Sequence, residues 1–148
     1  MKKQANKIVV GALEKCDLPD LGITDLVMRV DTGAATSSMH VENVEEYEKD
    51  GKSWISFDIH PDVYNVAKIT RHSSEVQARR KVRSSSETLE HRYVITTTLA
   101  IGEYKWLIKI NLTDRTEMTY NMLLGRQAMA KRIIVDPGEE FLIPHNVN

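Results

Sequence analysis

The chain has 148 residues, and its 20 Lys and Arg against 21 Asp and Glu give a formal net charge of -1. A chain of this length buries about 70% of its unfolded surface on folding, so one compact domain needs neither a disulfide nor a structural metal. Hydrophobic residues make up 41% of the sequence, with 7 Gly and 4 Pro, which excludes a disordered, fibrous or low-complexity protein. The near-zero net charge also excludes a global polyanion binder, although it allows a local basic patch.

Cysteine content and hydropathy indicate the cellular compartment in which the protein is expected. Cys16 is the single cysteine, which excludes an intrachain disulfide and a multi-cysteine zinc site. The apolar run at residues 8–13 is too short for the hydrophobic region of a signal peptide, and no stretch reaches the roughly 18 apolar residues of a transmembrane helix. We therefore expect a cytoplasmic protein without a membrane partner, folded as a single domain over residues 1–148.

Strand patterns dominate the chain from beginning to end. Short apolar or alternating runs bounded by Gly, Pro and Asp predict strands at residues 8–10, 26–30, 54–59, 94–101, 106–112, 122–124, 133–135 and 141–143. The acidic stretch 42–50 is interpreted as a solvated loop, and residues 126–131 as a helix of about two turns. Many short strands, one short helix and no alternating strand–helix rhythm favour an all-β barrel or sandwich.

An Asp-Thr-Gly tripeptide at residues 31–33, followed by Ala34, is the most informative motif. It directly follows the predicted strand at 26–30, and its Gly permits a tight loop that projects the carboxylate. The tripeptide alone is a weak signal, because Asp and Gly also form ordinary turns at strand ends. Far downstream, residues 123–125 form a Leu-Leu-Gly segment that leads into the predicted helix.

These two segments resemble the retropepsin-like aspartic peptidases, in which the loop and a later apolar-apolar-Gly strand cross around the catalytic carboxylate. Over residues 8–143 the chain is also similar to one bacterial family, often labelled ATP-dependent zinc protease and associated with RimK and RimB of the glutamate ligase system. The resemblance implies an all-β, retropepsin-like closed barrel with one short C-terminal helix. Its blocks are RVDTGAATSSMH at 29–40, VRSSS at 82–86, HRYV at 91–94, LTDR at 112–115, MLLGR at 122–126 and VDPG at 135–138.

The words "zinc" and "ATP" in that label find no support in the residues. The sequence has no His-Glu-x-x-His, no Cys/His cluster and no Gly-x-x-x-x-Gly-Lys-Ser/Thr loop. Its histidines are scattered without ligand spacing. They are His40, His60, His72, His91 and His145. We therefore expect no metal and no cofactor.

The resemblance implies a role for each residue of the two segments. Asp31 would be the catalytic carboxylate, Thr32 would brace two loops across a two-fold axis, and Gly33 and Ala34 would let the backbone approach the substrate. Leu124, Gly125 and Arg126 would support the loop where the two segments cross. An aspartic peptidase needs two carboxylates that share one proton across an attacking water, and this chain has one Asp-Thr-Gly. We therefore predict a homodimer in which each copy supplies Asp31.

One position departs from the viral members of this fold. The viral enzymes have Asp immediately after Asp-Thr-Gly-Ala, where it pairs with the Arg of the later Gly-Arg segment. This sequence has Ala35 there. Arg126 must then find another partner, either a carbonyl or an acidic residue of the second copy.

Residues 68–83 are strongly basic and admit two interpretations. The stretch is either a solvated hairpin or loop, or a flap in which Arg79, Arg80, Arg83 and Ser85 bind an acidic peptide. Nucleic acid is not expected as a partner, because aromatic residues do not interleave the charges. The expected function is an aspartic-type peptidase acting on glutamate-rich tails. The alternative is a non-catalytic binding module of the same fold with protein or ribosomal partners.

Overall fold

The structure, a computed structural model, describes residues 6–60, 69–83, 89–113 and 120–144. Within these ranges it is built from strands, a 3-10 helix at Pro19–Leu21 and one short α-helix, which confirms the predicted all-β class. The elements are β1 (Ile8–Val10), β2 (Leu13–Leu18), β3 (Ile23–Val30), β4 (Ser37–His40), β5 (Glu42–Lys49), β6 (Lys52–Ile59), β7 (Thr70–Glu75), β8 (Ala78–Arg83), β9 (Leu89–Ile101), β10 (Tyr104–Thr113), β11 (Met122–Leu124), α1 (Arg126–Met129) and β12 (Ile133–Val135).

A closed barrel forms the centre of the fold. Strands β10, β4, β11, β3, β2 and β9 pair in that order, and β9 pairs back to β10. Strand β11 runs parallel to β3 and antiparallel to β4, so it lies between them. The chain leaves β3, passes through the Asp-Thr-Gly loop and returns in β4 on the other side of β11. The predicted crossing of the two motif segments is therefore present, and the retropepsin-like barrel is confirmed.

The barrel encloses the main hydrophobic core. Side chains alternate along a strand, so every second residue of a barrel strand points inward. In β10 these inward residues are Ile108, Ile110 and Leu112, all of which are buried. Met28 of β3 and Met39 of β4 are also fully buried, one on each side of β11. The packing of these two side chains in the core holds β3 and β4, the strands that the Asp-Thr-Gly loop connects.

Strands β5, β6 and β7 form a separate three-stranded antiparallel sheet, which we call the inserted sheet. The prediction of a solvated loop at residues 42–50 was wrong, because most of that stretch is β5. It is an edge strand whose residues are mostly exposed. Charged side chains on an edge strand face water and discourage further strand pairing, so acidic composition does not exclude a strand.

The basic stretch contributes one arm of a hairpin. Strand β8 pairs antiparallel with the first part of β9, from Ala78 opposite Val94 to Arg83 opposite Leu89. Strand β9 then continues into the barrel wall, where it pairs with β10. The hairpin agrees with both interpretations of this stretch, a solvated hairpin and a flap, and does not decide between them. The connection at 84–88 lies outside the described residues.

The segment at residues 141–143 was predicted as a strand, and this prediction was wrong. Its backbone donors do not enter a strand ladder. Phe141 N–H donates to the carbonyl of Leu13 at 2.8 Å, while Leu142 and Ile143 donate to the buried Glu14 carboxylate at 2.8 and 3.2 Å. A buried carboxylate satisfies several amides at once, which lets an apolar segment pack on the barrel without pairing.

Helix α1 is shorter than the predicted helix at 126–131. It ends at Met129, because Ala130 has a ψ of 128° and Lys131 adopts a positive φ of 67°. Such a left-handed residue stops helical hydrogen bonding. Within the described ranges, no helix has the length and apolar character needed to cross a membrane.

Candidate active site

Asp31 lies directly beyond the end of β3, in a loop that is hydrogen-bonded to β11. The backbone N–H of Asp31 donates to the carbonyl of Leu124 at 2.9 Å. Its side-chain Oδ1 accepts the N–H of Gly33 at 2.8 Å. Asp31 is half-buried, whereas Thr32 and Gly33 are exposed. The loop thus presents a carboxylate at the protein surface and fixes one of its oxygens with a backbone donor.

Gly125 marks the closest approach of the two crossing segments. An ideal Cβ at this position would lie 2.5 Å from both the carbonyl carbon and the oxygen of Thr36. Its N–H donates to the buried hydroxyl of Ser37 at 3.0 Å. The predicted role of Gly125 in the crossing therefore has a steric basis, since no side chain fits between the segments.

Arg126 binds the loop from the other side. Its backbone N–H donates to the carbonyl of Ala34 at 2.8 Å, and Gln127 N–H donates to the carbonyl of Ala35 at 3.0 Å. The guanidinium Nη1 donates to the carbonyl of Thr32 at 2.9 Å. Of the two partners expected for Arg126, the structure provides the carbonyl, and it lies in the same chain. Ala35 contributes through its backbone, so the crossing does not need the Asp found there in viral enzymes.

Two supporting residues were missed by the sequence interpretation. Ser37 accepts the Gly125 N–H, and Asn111 Nδ2 donates to the hydroxyl of Thr36 at 3.1 Å. The available signal was the run of hydroxyl residues at 36–38 just after the loop. Asn111 lies 75 residues from Thr36 in the chain, and no local pattern connects the two.

Replacing Ser37 by Ala is expected to lower the free energy of unfolding by about 1–3 kcal/mol, because the buried Gly125 N–H would lose its acceptor. Urea denaturation at neutral pH measures the change. Ser38→Ala, on the neighbouring half-buried residue, is the matched control and should change stability by about 0.5 kcal/mol or less. Equal effects of the two substitutions would contradict the role given to Ser37.

Strand β8 carries three of the four predicted substrate-binding residues. In the described part of the chain it pairs with β9, and not with β3 or β4, the strands on either side of the Asp31 loop. Arg79 donates through Nη1 to both carboxylate oxygens of Glu46, at 2.7 and 3.0 Å. Arg80 is exposed and follows Arg79 in the strand, so it points to the opposite face. Arg83 ends β8, and Ser85 lies outside the described residues.

A hydrogen-bonded carboxylate joins the barrel to the inserted sheet. Glu42 accepts from His60 Nε2 at 2.7 Å and contacts His40 Nε2 at 3.2 Å. These bonds, first that of His60 and then that of His40, lower the pKa of Glu42. Asn121, which directly precedes β11, donates to the carbonyl of His60 and accepts the backbone N–H of His40. In the part of the chain that is described, no three His, Cys, Asp or Glu side chains are arranged to hold a metal ion.

Stability should depend on the ionised form of Glu42. Because its pKa is lowered on folding, the contribution is present above the ordinary value of about 4.5 and is lost as pH falls through the folded-state value. We expect wild type to exceed Glu42→Gln by about 1 kcal/mol near pH 5, and the difference to shrink towards pH 3. Urea titrations across this range measure it. Glu48→Gln controls for the loss of one carboxyl, and a difference that stays constant as the pH falls would contradict the assignment.

The fold and the loop together define a class. A closed barrel in which an Asp-Thr-Gly loop crosses an apolar-apolar-Gly strand is the retropepsin-like arrangement. The chain belongs to the family described as "Retropepsin-like aspartic endopeptidase RimB", which matches residues 9–146. The family predicted from the sequence is confirmed at this level.

Curated relatives of the chain carry a ligase name and not a zinc-protease name. It is 47% identical over 131 residues to a "Probable alpha-L-glutamate ligase" of Parasynechococcus marenigrum, covering 88% of this chain and 28% of that protein. A protein of the same name from Shewanella halifaxensis is 41% identical over 138 residues, or 93% of this chain and 30% of the relative. The chain thus spans less than a third of the length of these relatives.

A solved structure also resembles the chain. The crystal structure of a protein of unknown function from Legionella pneumophila is 30% identical, with a TM-score of 0.76. The match covers 93% of this chain and 98% of that protein. The similarity therefore extends over both chains nearly from end to end.

Proposed function

We propose that the chain is an aspartic-type peptidase whose active site is completed by a second copy, with Asp31 supplied by each. The observation that carries the proposal is the crossing itself, which holds a carboxylate at the surface with Oδ1 bound by Gly33 N–H. Thr32 and Gly33 are exposed at the same loop, which leaves room for a second loop to approach. A single carboxylate supplies half of the chemistry, so the site is incomplete in one chain.

The proposed reaction is hydrolysis of an amide by water held between the two carboxylates. One Asp31, ionised, takes a proton from the water as its oxygen attacks the amide carbon. The other, protonated, donates to the carbonyl oxygen, so that a neutral tetrahedral intermediate forms. The first Asp31 then gives its proton to the nitrogen while the second takes one back from a hydroxyl of the intermediate, so that the C–N bond breaks, the amine leaves and a carboxylic acid forms. Two adjacent carboxylates cannot both ionise without strong repulsion, which keeps the single proton on the pair.

An acidic peptide, such as a glutamate-rich tail, is the proposed substrate. The basic strand β8 supports this choice, because the planar guanidinium of Arg binds carboxylates with two parallel hydrogen bonds. The relatives named glutamate ligases support it as well, since a peptidase that removes glutamate would act on the class of product such a ligase makes. We propose that the hairpin formed by β8 and β9 acts as the flap that covers this substrate.

Mass spectrometry of two synthetic peptides, one ending in a glutamate tail and the other in a glutamine tail, tests the proposal. We expect the chain to shorten the glutamate tail and to leave the glutamine tail largely intact, with or without a metal chelator. Equal cleavage of the two peptides would contradict the proposed preference for acidic substrates. Binding of the glutamate peptide without any cleavage would favour the non-catalytic binding module.

A further inference from the structure

A groove of about 690 Å³ lies between the inserted sheet and the beginning of β8. Glu46, Glu48 and Trp54 line one wall, while Gln77 and Arg79 line the other. The groove therefore runs along the base of the hairpin that we propose as the flap. It holds the Arg79–Glu46 ion pair, and it joins aromatic, acidic and basic groups at one surface.

The guanidinium of Arg79 already binds a glutamate of its own chain. Glu46 lies 33 residues earlier, and its two oxygens are 2.7 and 3.0 Å from Nη1. The hydrogen bond that Arg79 donates to Glu46 is the main cause that raises the pKa of Arg79. Both side chains remain about half exposed, at 49% and 45%. The pair is therefore formed in contact with water, where such pairs are weak and exchange readily.

We infer that this groove is an accessory subsite for an acidic side chain of the substrate, with Arg79 as its anchor and Glu46 as a built-in competitor. The inference rests on the proposed function, because it assumes an acidic peptide. Glu46 offers Arg79 the same carboxylate that a glutamate-rich peptide would offer. An incoming carboxylate must displace it, so Glu46 lowers affinity and sets a threshold against peptides that carry few acidic groups.

A second cation lies beside the same wall. The ammonium of Lys49 is 4.7 Å from the centre of the Trp54 ring, and the Tyr47 ring is 6.4 Å from that of Trp54. A cation held on an aromatic face keeps its charge available to an acidic ligand. Lys49 itself is not a lining residue, so Arg79 is the cation to which the groove gives access.

Substitution of Glu48 is the control that distinguishes competition for Arg79 from a general effect of negative charge in the groove. Glu48 lines the same groove and is exposed on the same strand as Glu46. The structure gives it no hydrogen bond or ion pair to Arg79 within the described residues. Removing the Glu48 carboxyl changes the local field by one charge and leaves the anchor occupied.

Binding of fluorescently labelled tetraglutamate, measured by anisotropy, tests the inference. Every chain carries Asp31→Asn, so that the peptide is not cut, and labelled tetraglutamine reports contacts that need no charge. We expect Glu46→Gln to tighten tetraglutamate binding about three- to fivefold, and Glu48→Gln to change it less than about twofold. Arg79→Gln should weaken binding, and Glu46→Gln should give no gain in that background.

Three results would overturn the inference: no tightening by Glu46→Gln, an equal gain from Glu48→Gln, or a gain that persists with Arg79→Gln. Hydrolysis by the chain with Asp31 intact is measured separately. If that chain cuts glutamate tails but Glu46→Gln does not tighten binding, the subsite is wrong and the proposed function stands. If the peptide is neither bound nor cut, both are wrong.

Discussion

Replacing Asp31 by Asn is expected to reduce hydrolysis of a glutamate-tailed peptide by about a thousandfold or more, because an amide can neither accept nor supply the proton. The fold should survive, since the amide oxygen can accept the Gly33 N–H that now binds Oδ1 at 2.8 Å. Rates on the peptide and urea midpoints measure the two effects. Asp50→Asn makes the same chemical change in an exposed turn with a φ of 54°, which Asn tolerates, and should keep full activity.

Mixing experiments extend this test to the second copy. If each active site takes Asp31 from two chains, an equal mixture of wild type and Asp31→Asn retains about a quarter of the activity of the same total wild type. A site contained in one chain would retain about half. Dilution with Asp50→Asn instead should leave activity unchanged. Full activity of Asp31→Asn alone would remove Asp31 from the mechanism.

The crossing of the two motif segments was the most predictable part of the molecule from sequence. The loop at 31–33 and the segment at 123–125 are short, ordered and chemically specific, and the fold brings them together through β11. Core strands were also predictable, because alternating burial leaves a pattern of period two. The pattern arises because every second side chain of a barrel strand must be apolar to pack in the core.

Contacts between distant segments were not predictable. Residues 42–50 are acidic, and composition alone could not show that their backbone pairs with β6. Arg79 was predicted to bind an acidic peptide, and its partner within the chain, Glu46, was not predicted because it lies 33 positions away. The amides at 141–143 are satisfied by Glu14, about 128 residues earlier in the chain, and not by a neighbouring strand. In each case a long-range partner decided the local structure.

If the proposed function is right, the crossing links catalysis to stability, because the hydrogen bonds that hold the Asp31 loop also join it to β11 of the barrel. Asp31 N–H binds Leu124, while Ser37 and Arg126 hold the residues on either side. A disturbance at this point should therefore affect folding and activity together. Substitutions at the groove should change substrate affinity and leave the barrel intact.

Gly125→Ala is expected to lower the free energy of unfolding by about 3 kcal/mol or more, and to abolish hydrolysis in whatever protein folds. The added Cβ would lie 2.5 Å from the Thr36 carbonyl group, and backbone atoms cannot rotate aside as a flexible side chain can. Urea denaturation and peptide hydrolysis measure the two losses.

Gly138→Ala is the matched control, since its Cβ would lie 3.5 Å from Oδ1 of Asp136, which is an ordinary contact. It should change stability by about 1 kcal/mol or less and leave activity intact. If Gly125→Ala were as stable as Gly138→Ala, the segments would have room to separate. The close crossing could then not be what holds Asp31 in place.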